Sequence, residues 1–132
     1  MENIIQQITI ELVEKINKKA FSEKLSDLDR LAAEVFEDCT DYARLMIQEV
    51  IHIRNLQFRE DKAFRKQEGL VLKEKERPRQ ILTKLGMLEW NRDYYYDKGT
   101  ESYVFPLDHM LGIRKYERIG DEVTAQLLGR AT

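Results

Sequence analysis

The chain has 132 residues, of which 35% are charged and 42% hydrophobic, and its formal net charge is −2. That length suits one domain with a modest core, or a small domain joined to an extended helical element, and the charge excludes a strongly basic, non-specific nucleic-acid binder. No apolar run approaches a membrane span, no charged-then-apolar start marks a signal peptide, and the single Cys39 excludes an intrachain disulfide, all of which is compatible with a cytoplasmic protein.

The net charge hides an asymmetry. Residues 1–58 hold 7 Lys/Arg against 11 Asp/Glu, a net of −4; residues 59–92 hold 10 against 6, a net of +4; residues 93–132 hold 5 against 7, a net of −2. An electrostatic footprint for nucleic acid therefore falls in 59–92.

Over residues 2–20, Ile4, Ile8, Leu12, Ile16 and Ala20 recur every four residues, with glutamates and lysines on the other face. This spacing predicts an amphipathic helix packed on its neighbour, and the mixed signs of its polar face argue against a membrane-surface helix. Ser26 followed by Asp29 predicts the start of a second helix with a capping box. In it Leu28, Leu31, Val35, Cys39, Tyr42, Met46, Val50 and Ile53 recur in steps of three or four, as in a short coiled coil. No proline or glycine intervenes before Gly69, so the helix is expected over 27–66. The first helix, roughly 28 Å long, cannot cover one twice its length. The leftover stripe predicts a homo-oligomer through Leu28, Val35, Cys39, Tyr42, Met46 and Ile53. Cys39 reads as a buried thiol on this stripe, and His52 as an ordinary helix histidine, since neither has a partner at ligand spacing.

After Gly69 the pattern changes. Leu70–Glu76 reads as a charged strand or arm, and Ile81–Leu85 and Met87–Tyr96 as two strands separated at Leu85–Gly86. Tyr103–Phe105 is a third strand, which makes a meander over 70–105. A Leu85–Gly86 turn sets Arg79 opposite Arg92 and Arg77 opposite Tyr94, and places Arg77, Arg79, Ile81, Trp90, Arg92 and Tyr94 on one face. Two arginines face to face need an anion or carboxylate between them. One reading is a DNA surface built from Arg77, Arg79, Lys84, Arg92, Trp90 and Tyr94, with Lys84 near the turn pointing to the opposite face. The other is a packed face of Ile81, Leu88, Trp90 and Tyr94 with arginines stacked over the aromatics. Pro106–Leu107–Asp108 predicts a short helix with proline in its first turn, and His109 beside Asp108 reads as structural. A final helix is expected from Asp121.

The ordered string Arg77, Arg79, Thr83-x-x-Gly86, Arg92-x-Tyr94-Tyr95, Pro106-Leu107-Asp108-x-x-Leu111-Gly112 resembles the N-terminal region of Lre-type bacterial insertion-sequence transposases, long catalogued as an uncharacterised protein family. Phe64-Arg65, Gly69-Leu70 and Tyr116-Glu117-Arg118 extend the resemblance over most of the chain. It implies DNA transposition and recognition of terminal repeats, with an acidic metal-binding triad in a ribonuclease-H-like domain beyond this region. Relatives often carry paired cysteines like a zinc ribbon after the Arg-x-Tyr segment; residues 94–103 here hold none, which excludes a thiolate zinc site. No carboxylate matches the triad, and no phosphate-binding glycine loop or nucleophile motif is present.

The expected fold is α+β: an N-terminal helical hairpin with one long helix (residues 1–68), a small antiparallel β-meander (69–112), and a C-terminal helix (113–132) leading towards an absent catalytic domain. The expected function is a non-enzymatic, metal-free and cofactor-free DNA-binding region of a transposase. The alternative is a helical oligomerisation module whose ribbon only caps the helices.

Overall fold

The computed structural model describes residues 3–114 and 118. Helix α1 spans Ile4–Ala20, α2 Leu28–Glu60 and α3 Lys62–Gln67; strands β1 (Leu70–Thr83), β2 (Gly86–Asp97) and β3 (Ser102–Val104) follow, then α4 (Pro106–Met110). The strands form one antiparallel sheet in the order β1-β2-β3. The α+β class, the long helix, the meander and the short helix after it are as the sequence predicts. The helix expected from Asp121 lies outside the described residues.

Helix starts and stops follow local chemistry. Asn3 caps α1 in a capping box with Gln6. The cap of α2 is Asp27, whose Oδ1 accepts from Arg30 N–H at 2.9 Å, and not Ser26: a carboxylate accepts more strongly and also suits the positive end of the helix. The single helix expected over 27–66 is in fact two. Asp61 turns its side chain onto the Phe64 N–H, and Arg65 donates twice to the Arg59 carbonyl, which satisfies one backbone donor and one acceptor at the break. Gly69, at φ 71°, then ends α3.

Packing divides the chain into two compact units, residues 1–49 and 50–132, and the division falls inside α2. In the first unit α1 and the start of α2 meet through Thr9 Oγ1 and Tyr42 Oη (3.1 Å) and through Lys19 Nζ and Asp38 Oδ2 (2.7 Å). None of its described residues is buried, and Leu28, Phe36 and Phe21 are 78%, 73% and 85% exposed. Cys39, expected to be buried, is exposed, because α1 lies on the Asp38/Tyr42 side of α2.

The core sits in the second unit, where Ile51, Ile81, Leu88, Trp90, Tyr95 and Leu107 are buried. Each such side chain contributes about 1.5–3 kcal/mol. The hairpin turn is Lys84–Leu85, one residue earlier than expected, with Thr83 paired to Gly86. The Thr83 hydroxyl accepts from Leu85 N–H (3.2 Å) and donates to the Gly86 carbonyl (2.9 Å), and Gly86 takes φ 96°. Gly86 therefore serves as the left-handed residue after the turn rather than as a turn centre. The pairing consequently slips by two: Arg77, not Arg79, stands opposite Arg92, and Arg79 stands opposite Trp90. A slip of two preserves the faces, so the predicted grouping of side chains survives.

Candidate nucleic-acid interface

Strand alternation and α4 together build the first face of the hairpin. Tyr94 stacks on Tyr103 (5.2 Å between ring centroids, 16° between planes) and packs at 4.7 Å on Phe105, the residue before Pro106. Two guanidinium groups lie over these rings: Arg77 is 5.0 Å from the Tyr94 centroid, and Arg92 is 3.8 Å from that of Phe105. Proline at the first helical position starts α4 and aims Asp108 at Arg92. Arg92 Nε donates to Asp108 Oδ2 at 2.9 Å, and its Nη1 donates to the carbonyls of Arg77 and Pro78. Asp108 thus supplies the carboxylate that the facing arginines require. Burial holds Arg92 below the ordinary arginine value, and likewise raises Asp108 above the carboxylate value despite the Arg92 charge beside it. The pair is therefore maintained by geometry against its desolvation cost.

The six residues singled out from the sequence separate into two groups. Arg92 and Trp90 are buried, at 6% and 7% exposure. Arg77 and Lys84 are exposed, and Arg79 and Tyr94 are half-buried. Arg79 donates to the Arg114 carbonyl at 3.1 Å. The structure brings Arg77, Arg92 and Tyr94 around Phe105, while Lys84 stands apart at the turn.

The opposite face carries a buried polar hub that periodicity alone does not reveal. The Asp93 side chain is fully buried. It accepts from Arg59 Nε (2.6 Å) and Nη2 (2.7 Å), from Asn55 Nδ2 (3.2 Å) and from the Glu76 backbone N–H (3.1 Å), and its own N–H donates to Asn55 Oδ1 (2.9 Å). Glu76 sits at φ 58°, in the left-handed region, within the bulged part of β1, and its carboxylate also accepts from Arg59 at 2.6 Å. Burial acts to raise Asp93, but the bonds from Arg59, Glu76 and Asn55 outweigh it and hold the carboxyl below its usual range. The only trace in the sequence is Asn55 and Arg59 at i, i+4 on a helix. Beside the hub, Tyr95 meets Phe58 edge-on at 5.3 Å, and burial together with the Asp93 charge pushes its hydroxyl up to about 12.

Asp108 is buried and His109 is exposed. Among the described residues no group of three His, Cys, Asp or Glu is placed to hold a metal ion, and no helix is long and apolar enough to cross a membrane.

No curated protein and no solved structure matches the chain. A family model does match it over residues 3–132, which takes in the helical hairpin, the sheet and both faces just described. The chain is therefore a member of the Uncharacterised protein family (UPF0236).

Proposed function

We propose that the chain is the DNA-binding N-terminal region of an insertion-sequence transposase, acting in the cytoplasm on the element's terminal repeats and holding no catalytic centre of its own. The resemblance of the string from Arg77 to Gly112 supports this reading. The observation that carries it is the outward Arg77, held over Tyr94 on a face whose buried Arg92 is locked by Asp108 and Phe105. Arg77 and the turn residue Lys84 contact phosphate, while Arg92 and Trp90 position the face. The test is binding of terminal-repeat duplex by Arg77→Glu and Lys84→Glu across a salt series, with folding checked by circular dichroism. Each variant is expected to flatten the slope of log K against log[salt] by about one unit. Unchanged affinity and slope in both would remove the hairpin from the interface.

A second reading, self-association, rests on the absence of any buried residue among the described part of 3–49. A two-helix unit of this size needs further apolar cover to be stable. Along α2, Ala32, Phe36, Cys39, Ala43 and Met46 form a row in steps of four and three without a charged member. Its Phe36–Met46 part has the same spacing in both directions, so an antiparallel second copy sets Phe36 against Met46 and Cys39 against Ala43 with no like-charge repulsion. Light scattering is expected to give a dimer for the wild-type chain and a monomer for Phe36→Glu. A monomeric wild-type chain at high concentration would end this reading.

A further inference from the structure

The hairpin arginines are largely engaged within the fold, but three lysines gathered beside Arg65 make no such contacts. Lys62, Arg65 and Lys66 lie at i, i+3 and i+4 on α3, hence on one side of it. Lys98 joins them from the turn after β2, because its backbone N–H donates to the Gly69 carbonyl at 2.9 Å. Gly69 makes this meeting at a φ of 71°, in the left-handed region that favours glycine. These four cations and the first residues of β1 line one open concavity, and no carboxylate lines it.

Arg65 is fixed in place. Its Nε and Nη2 donate to the Arg59 carbonyl at 3.1 and 2.8 Å, and its guanidinium lies 5.7 Å from the Tyr95 centroid. Lys62, Lys66 and Lys98 make no ion pair with any described residue. Three exposed ammonium groups beside a fixed guanidinium, in a concavity that no carboxylate lines, attract a polyanion. The concavity is open rather than enclosed, which suits a continuous backbone better than a small ligand.

We infer that this concavity, built from Lys62, Arg65, Lys66 and Lys98, is a phosphate-backbone site for duplex DNA. The inference rests on the DNA-binding reading above and moves the main electrostatic contact from the hairpin to the junction of α3 with the sheet.

The experiment compares the full chain with a Lys62→Gln/Lys66→Gln/Lys98→Gln variant and with Arg77→Glu. It uses fluorescence anisotropy on one labelled duplex across a potassium chloride series. All three lysines are exposed, so the triple variant is expected to keep the wild-type circular dichroism and melting temperature. Loss of three phosphate contacts flattens the log K against log[salt] slope by about 2.7, at about 0.9 per contact. A triple variant with the wild-type slope, alongside a flattened slope for Arg77→Glu, would overturn this site and leave the hairpin interface standing. A wild-type chain that binds no duplex would overturn both. Calorimetry with inorganic phosphate separates the two sources of the anion. No heat is expected; saturable phosphate binding that blocks the duplex would overturn the backbone site in favour of a small-anion site.

Discussion

Asp93→Ala is expected to lower the unfolding free energy by about 3–5 kcal/mol, measured as a fall in the urea midpoint at unchanged slope. The substitution removes the acceptor for Arg59, for Asn55 and for the Glu76 N–H together. It also leaves the partly buried Arg59 guanidinium with only the half-exposed Glu76 carboxylate as its ion-pair partner among those described. Domains of this size are stable by about 5–15 kcal/mol, so the change takes a large fraction of the total. Asn55→Ala breaks two bonds to the same residue but leaves the Arg59 pair, and should cost about 1–3 kcal/mol. An Asp93→Ala chain as stable as wild type would show that the hub does not hold α2 to the sheet.

The hub also gives stability a pH dependence of known sign. The Asp93 carboxyl is lower in the folded chain than the ordinary value of about 3.9. Its contribution is therefore complete above that value and is lost as the pH falls below it, through the lower folded value. Asp108 acts in the opposite sense: burial raises it, so protonation favours the folded form as the pH falls through its raised value. The Asp93 part is isolated as the difference between wild type and Asp93→Asn, which should shrink steadily below about pH 4. A difference that stays constant from neutral pH down would contradict the assignment.

Asp108→Ala is the second large effect, also expected at about 3–5 kcal/mol, because it leaves the Arg92 guanidinium buried without its carboxylate. The burial-driven shifts of both partners show that desolvation works against the pair. Replacing both members with apolar residues of similar size, Arg92→Met with Asp108→Leu, should therefore recover most of the loss. A double-mutant cycle in urea decides the point. If the double variant is no more stable than Asp108→Ala, the bonds from Arg92 to the Arg77 and Pro78 carbonyls matter more than relief of the unpaired charge.

The elements themselves were legible in the sequence. Helical spacing over α1 and α2, the change to β-branched and aromatic residues after Gly69, and Pro106 at a first turn each act through neighbours a few residues apart. The face shared by Arg77, Arg79, Ile81, Trp90, Arg92 and Tyr94 was legible too, since alternation along a strand survives a slip of two. The tertiary structure decided what that face does. Arg92 is a structural cation because Asp108, 16 residues later, reaches it, and Asp93 is a hub because Asn55 and Arg59, 38 and 34 residues earlier, close over it. Cys39 is exposed because α1 settles on the neighbouring side of α2. The register turned on the Thr83 hydroxyl and the positive φ of Gly86, and the break at Asp61 on a side chain that bonded its own backbone. Periodicity records how often a side chain returns to a face. It carries no information about which distant partner meets it there, and that pairing separates a buried arginine from one turned to solvent.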